Sequence, residues 1–260
     1  MDWLEALILG LVQGLTEFLP VSSSGHLELG KAILNVNPEK SLMFTVLVHG
    51  ATVLSTIVVF YKDIWRLIKG LFAFKWNEET SYVSKLLLSM IPVAILGVFF
   101  KDEIEGFFNG NIRFVGFMLI VTALLLASTY LRKTNVRKIG FLDSLVIGVA
   151  QAFAVLPGVS RSGATISTGL MLGVKKEFIA RFSFLMVLIP ILGANFQDLA
   201  SGEISSNTEV GIVPLLVGFL AAFISGLLAC RWMINIVKKG NLIYFAIYCL
   251  IIGLIAIIVG

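Results

Sequence analysis

Two short stretches carry most of the side chains able to do chemistry in this chain. In the first, Gln13 and Glu17 stand four residues apart and are followed by Ser22, Ser23, Ser24 and His26. On a helix that spacing puts Gln13 and Glu17 on one face, a two-oxygen clamp of the kind that suits a hard cation such as Mg²⁺ or Ca²⁺. The bland alternative is that Glu17 only neutralises a buried arginine, Arg161. Three serines exceed what capping one helix requires, and an imidazole among hydroxyls can donate or accept a proton near neutral pH. The second stretch, Pro157 to Thr165, reads Pro-Gly-Val-Ser-Arg-Ser-Gly-Ala-Thr. Ser160, Ser162, Gly163 and Thr165 surround Arg161 at a helix start, where free backbone N–H groups and the positive end of the helix dipole favour an anion. The guanidinium fork matches phosphate oxygens, so the stretch predicts a phosphate cradle, against a gating or ion-pair role for Arg161.

These stretches are copies of one pattern. Gln13 to Gly25 reads Q-G-L-T-E-F-L-P-V-S-S-S-G, and Gln151 to Gly163, 138 residues later, reads Q-A-F-A-V-L-P-G-V-S-R-S-G. Each follows an apolar Leu-x-x-Gly (Leu7 to Gly10, Leu145 to Gly148) and breaks it with proline and then Val-Ser-x-Ser-Gly. The pattern is a duplicated broken helix. Its surroundings are apolar enough for a bilayer, where an ionisable group costs roughly 2.5–3.5 kcal/mol, so function is the first hypothesis for each one.

The composition fixes the solvent. With 58% hydrophobic and 14% charged residues and a mean hydropathy of +0.96, the chain reads as an all-α polytopic membrane protein rather than a soluble domain. Its net charge of +4 sits in short loops and reports topology, not nucleic acid. Six runs are predicted to cross, at 41–61, 82–100, 112–131, 178–197, 211–232 and 241–260. The two motif regions, 3–34 and 141–174, are pairs of shorter apolar pieces and read as re-entrant hairpins. Full kinked crossings are the alternative, since a pair of crossings also returns to its starting side.

Basic residues cluster in four loops: Lys62 to Lys85, Arg132 to Lys138, Lys175 to Arg181 and Arg231 to Lys239. These should be cytoplasmic, and the acidic connections at Asp102 to Glu105 and Asp198 to Glu209 should face out. Six crossings threaded through that map put both termini outside. The first hairpin then enters from outside and the second from the cytoplasm. One membrane domain, 1–260, thus divides into two inverted-topology repeats, 1–135 and 136–260, each a re-entrant hairpin plus three crossings. Hairpin tips entering from opposite faces can meet near the midplane, where non-helical backbone must line a cavity or be buried. The tips should form the site.

Other features call for blander readings. His49, inside a crossing with no polar motif around it, reads as a packing residue, and Cys230 and Cys249 as buried thiols. Trp3, Trp65, Trp76 and Trp232 fall at span ends, as an interfacial belt requires. No removable signal peptide is visible at the start. A cation clamp, a proton-transfer histidine, candidate serine nucleophiles and a phosphate cradle at membrane depth together describe hydrolysis of a phosphate-bearing lipid.

At these residues the sequence resembles the undecaprenyl-diphosphate phosphatase family associated with bacitracin resistance. The likeness rests on Gln13-x-x-x-Glu17 continuing through Pro20 to His26, and on Pro157-Gly-x-Ser-Arg-Ser-x-x-Thr165. The resemblance implies inverted repeats with re-entrant hairpins, a divalent-cation requirement (Mg²⁺ or Ca²⁺), and a site opening to the outer face of the bacterial cytoplasmic membrane. It implies a polyprenyl diphosphate substrate, with bacitracin competing by binding that substrate, and it allows a homodimer. By motif, Glu17 is the metal-associated carboxylate, His26 the acid/base or nucleophile-assisting residue and Arg161 the diphosphate binder. Ser23 is the favoured nucleophile, with a metal-activated water as the alternative. Some members carry glutamate where this chain has Gln13, a neutral oxygen ligand at best. Glu28 gains no role. A secondary transporter or flippase for a phosphorylated lipid remains the rival reading, because inverted repeats of broken helices are also a transporter plan. A weaker third reading is a scaffold whose buried polar residues serve only folding.

Overall fold

The computed structural model describes all residues except 38–40, 101–102, 105, 108–109, 132–136, 194–209 and 241. The regular elements are helical: α1 (Trp3–Phe18), α2 (Ser23–Ile33), α3 (Leu42–Val59), α4 (Tyr61–Leu71), α5 (Glu78–Phe99), α6 (Ile112–Ser128), α7 (Phe141–Phe153), α8 (Arg161–Met171), α9 (Lys176–Met186), α10 (Ile212–Lys239) and α11 (Ile243–Val259). A 3₁₀ turn, Thr129–Leu131, extends α6. Local chemistry sets many of the ends. Asp2 and Glu5 close a capping box on α1, and the Asn77 side chain accepts from Thr80 N to start α5. Gly240, in the left-handed conformation, ends α10.

Among the described residues four helices are long and apolar enough to cross a bilayer: α3, α5, α6 with its 3₁₀ turn, and α10. The packing shows what solvent they expect. Up to Ala229 the buried face of α10 is Gly218, Ala221, Ala222, Ser225, Gly226 and Ala229, with Cys230, Met233 and Val237 buried beyond it, while Leu216, Leu220, Ile224 and Leu228 are exposed. In α11 Ala246, Cys249, Gly253 and Ala256 are buried, and Ile247, Ile251, Leu254 and Ile258 are exposed. Small residues inward and large apolar ones outward is the arrangement of helices packed in lipid, where close backbone approach replaces hydrophobic driving force. The chain is a polytopic, all-helical membrane protein.

Glycines mark the tightest contacts. α1 runs along α10, and a Cβ at Gly10 would lie 2.5 Å from the Gly218 carbonyl oxygen. α7 runs along α5, Gly148 facing the Ser89 carbonyl. α6 and α11 meet through Gly116 and Gly253, each of which faces the other's carbonyl oxygen. α3 packs on the other side of α10, with Phe44 over Gly218 and Ser55 over Gly226.

Helices α3, α5, α6, α10 and α11 fall on the runs at 41–61, 82–100, 112–131, 211–232 and 241–260, with different ends, and α11 is the shorter apolar helix among them. α5 begins at Glu78 and α10 continues to Lys239. The run at 178–197 is interrupted: α9 stops at Met186 and a second helical stretch occupies 188–193. Pro190 supplies the reason, because it has no N–H for the Met186 carbonyl and its ring crowds that carbonyl. Residues 194–197, Arg132, Lys133 and the acidic segment Asp198 to Glu209 lie outside the described residues. One element was not expected. The basic loop after α3 contains α4, whose Lys62, Arg66 and Lys69 share a short helix with exposed Tyr61, Trp65 and Ile68.

Candidate active site

Both motif regions fold as helix, break, helix. Pro20 cannot continue α1 and holds Leu19 in extended backbone (ψ 144°). The chain turns at Ser22, whose φ of 71° is rare outside glycine and belongs to the strained class found at functional sites. The second break passes through Gly158, φ 97°, where a Cβ would stand 2.5 Å from the Val115 carbonyl oxygen. Both downstream helices are capped alike. Ser22 Oγ accepts from Gly25 N at 3.2 Å, and Ser160 Oγ from Gly163 N at 3.0 Å. Ser22 also shares a hydrogen bond with Ser24 (3.4 Å), as Ser160 does with Ser162 (3.3 Å).

The two breaks meet. Ser162 Oγ donates to the Leu19 carbonyl at 3.2 Å. A Cβ at Gly25 would lie 3.0 Å from Gly158 Cα, and one at Gly163 would lie 3.5 Å from Pro20 Cβ. At this junction Glu17 gathers three partners. One carboxylate oxygen, Oε1, accepts from Arg161 Nη2. The other, Oε2, accepts from Ser23 Oγ at 2.6 Å and from Gln13 Nε2 at 2.9 Å. Glu17 is 6% exposed and Arg161 19%. Two atoms of this cluster, Arg161 Nη1 and Gln13 Oε1, are buried with no hydrogen-bond partner among the described residues. A buried donor or acceptor left open is costly unless something else binds it.

His26 lies one turn beyond Ser23 on the same helical face. Its Nδ1 is 2.8 Å from the Ser22 carbonyl oxygen, and its Nε2 is 2.8 Å from the Tyr248 hydroxyl. The structure therefore brings Gln13, Glu17, Ser23 and Arg161 into one hydrogen-bonded unit and sets His26 beside it with both nitrogens engaged elsewhere. Ser22, Ser160, Ser162 and Thr165 are buried and hold the breaks in shape. Thr165 Oγ1 shares a hydrogen bond with Ser183 at 2.6 Å. Ser24 is half-buried, and Gly163 is the capped amide of α8.

Three residues at the site were not singled out by the sequence. Thr122 on α6 holds the second break, donating to the Gly158 carbonyl at 3.0 Å and accepting from Ser160 N at 2.9 Å. His49 on α3, read from sequence as packing, lies within electrostatic range of the Glu17 carboxylate, while its Nδ1 is 2.8 Å from the Thr45 carbonyl. Tyr248 belongs to an unbroken apolar helix. None of the three carries a local signal, since each reaches the site from a distant crossing. Glu28 pairs with Lys31 at 3.4 Å within α2 and stays outside the cluster.

Next to the second break lies an apolar groove of about 330 Å³ lined by Met118, Val121, Ala150, Phe153, Val159 and Ala164, among others. Two of its lining residues, Val159 and Ala164, bracket the Ser160–Gly163 stretch in sequence.

Comparison with known proteins gives one family. The model described as "Bacitracin resistance protein BacA" matches residues 6–255. A protein named undecaprenyl-diphosphatase from Bacteroides fragilis is 55% identical over 264 residues, covering 100% of this chain and 99% of its own. One of the same name from Christiangramia forsetii is 56% identical over 261 residues, 99% and 98% of the two chains. A more distant one from Bacillus cereus, named undecaprenyl-diphosphatase 1, is 38% identical over 263 residues, 98% and 97%.

Proposed function

We propose that this chain, which belongs to the bacitracin resistance protein BacA family, hydrolyses undecaprenyl diphosphate to undecaprenyl phosphate and inorganic phosphate. It thereby returns the lipid carrier to cell-wall synthesis. The observation that carries the site assignment is the convergence of Glu17, Ser23 and Arg161 at the junction of the two breaks, with Arg161 Nη1 open. An arginine whose one terminal nitrogen is anchored by a carboxylate presents the other in a fixed direction, which suits a phosphate oxygen.

The chain's own groups support a two-step phosphoryl transfer. Arg161 and the free first-turn N–H groups of α2 and α8 hold the diphosphate. Ser23 Oγ attacks the terminal phosphorus as its proton passes to Glu17 Oε2, and the bond to the bridging oxygen breaks to release undecaprenyl phosphate. Water then attacks the phosphoserine as His26 takes its proton. Ser23 leaves and recovers a proton from Glu17, inorganic phosphate departs, and His26 returns its proton to solvent. Such transfers depend on positioning and on stabilising the charge that develops, which are the two things this cluster supplies. The apolar groove beside Val159 and Ala164 takes the first part of the prenyl chain.

A divalent cation fits the donor set. Among the described residues no group of three His, Cys, Asp or Glu could hold a metal unaided, but Mg²⁺ commonly uses one or two protein oxygens and completes its shell with water and substrate phosphate. Glu17 and the open Gln13 Oε1 would hold it, and it would neutralise phosphate charge. Bacitracin acts, in this reading, by sequestering the substrate.

The architecture we read is two inverted repeats in the cytoplasmic membrane, with both termini and the mouth of the site on the outer side. Supporting it, α1 and α7 begin 138 residues apart, as do α2 and α8. The arms of the two breaks have 16, 11, 13 and 11 residues, about 16–24 Å at 1.5 Å per residue, short of a ~30 Å core. Reciprocal packing of Gly116 and Gly253 is what a two-fold relation would place on its axis. Labelling of single cysteines at the two termini by an impermeant reagent in intact cells tests the orientation.

The decisive assay is phosphate release from a long-chain polyprenyl diphosphate by purified protein, with Mg²⁺ or Ca²⁺ and then EDTA, beside Glu17→Ala and Arg161→Ala. Release that requires the cation and both side chains supports the assignment. Transport of labelled lipid without phosphate release by a folded wild type would overturn it in favour of a flippase.

A further inference from the structure

We propose that Tyr248 is the positioning residue of His26. The inference rests on the reading of His26 as the proton-transfer group of the hydrolysis. A carbonyl oxygen can only accept, so the 2.8 Å contact between His26 Nδ1 and the Ser22 carbonyl places the hydrogen on Nδ1. In a neutral ring Nε2 is then the basic nitrogen, and it accepts from the Tyr248 hydroxyl at 2.8 Å. The hydroxyl occupies the one lone pair of Nε2, so the water's proton reaches the ring through the Tyr248 oxygen. That oxygen passes its own proton to Nε2, takes the water's in its place and then accepts from the new Nε2–H. A hydroxyl is the partner that stays bonded in both states. It therefore keeps the imidazole in one plane through a cycle of taking and giving a proton, as second partners of functional histidines do.

The rings reinforce this. His26 and Tyr248 lie 5.5 Å apart, centroid to centroid, and 13° from parallel. The neighbouring Cys249 is buried, its Sγ 3.8 Å from the Pro20 carbonyl oxygen, so consecutive residues of α11 touch the first break at two points. α11 itself is fixed by the Gly116–Gly253 contact. Nothing else among the described residues bonds His26 Nε2.

The test is Tyr248→Phe, which removes the hydroxyl and keeps the ring. The chain has two histidines, His26 and His49, so ¹⁵N-histidine-labelled protein gives two ring signals, assigned with a His49→Asn sample. In the wild type the His26 signals should be those of the Nδ1–H form with a hydrogen-bonded Nε2. In Tyr248→Phe the Nε2 signal should move to that of a free nitrogen, and kcat should fall about tenfold with KM within twofold of wild type. An unchanged Nε2 signal, or wild-type kcat, would each overturn the proposal. His26→Ala in the same assay separates the failures. If it is fully active, the reading of His26 has failed. If it is inactive while Tyr248→Phe matches wild type, only the role of Tyr248 has.

Discussion

Removing one partner of the Glu17–Arg161 pair should cost more than removing both. The two side chains are 6% and 19% exposed. Breaking a buried pair from one side leaves a charge uncompensated, a loss of about 3–5 kcal/mol, whereas replacing both partners by neutral groups of like volume is often close to neutral. Arg161 keeps some access to solvent, so Glu17→Gln, which leaves the guanidinium, belongs at about 3 kcal/mol. Arg161→Met leaves a carboxylate held by Ser23 and Gln13 alone and belongs nearer about 5 kcal/mol. The double variant should lose less than either. At roughly 2–4 °C per kcal/mol for a chain of this size, the singles should melt about 6–20 °C below wild type in detergent. All three should release phosphate at least about 100-fold more slowly, because the charged groups act on the transition state. A double variant whose loss equals the sum of the singles would refute the coupling. One that regains both melting temperature and activity would show that the pair is structural.

Thr122→Val should strand the Gly158 carbonyl and Ser160 N–H, costing about 1–3 kcal/mol and lowering kcat, as melting and phosphate release together would show. Gly14→Val should force α1 from α10, where Ala222 and Ser225 leave no room for a Cβ, at about 1–3 kcal/mol. Gly97→Ala, with nothing within 4 Å, should leave the melting temperature within about 2 °C. Ala150→Phe, which fills the groove beside the second break, should raise KM for a long prenyl chain and spare a short one. Equal effects on both would move the tail elsewhere.

The features legible in sequence are those with a local cause. Proline followed closely by Ser and Gly ends a helix here, whereas Pro92 stands inside the unbroken α5, so both breaks, and with them the neighbourhood of Glu17, Ser23 and Arg161, could be placed from the Pro20 and Pro157 motifs. The Glu17–Arg161 contact was foreseeable as the bland alternative to a cation clamp, and the structure displays that contact without excluding the clamp. The stop of α9 at Met186 was equally legible in Pro190 but was masked by a run of apolar residues. Thr122, His49 and Tyr248 are different. Each is a single polar group on an apolar helix, and only packing decides which way it faces. The short helix α4 is hidden for a related reason, because its lysines and arginine read equally well as the basic cluster of a cytoplasmic loop.

Ser23 and Arg161 occupy the same place in the two copies of the motif, 138 residues apart, and both grip the same carboxylate, one oxygen each. The position matching Glu17 in the second copy is Val155. Duplication by itself would make two equal half-sites, each with its own acid and its own hydroxyl. Here the second copy has valine where the first has its carboxylate and arginine where the first has its hydroxyl, so the halves do not stand in for each other. In the proposed mechanism this is a division of labour, with nucleophile and charge stabiliser drawn from opposite halves of one chain. Neither half can be active alone, and a single substitution at the meeting point is felt by both.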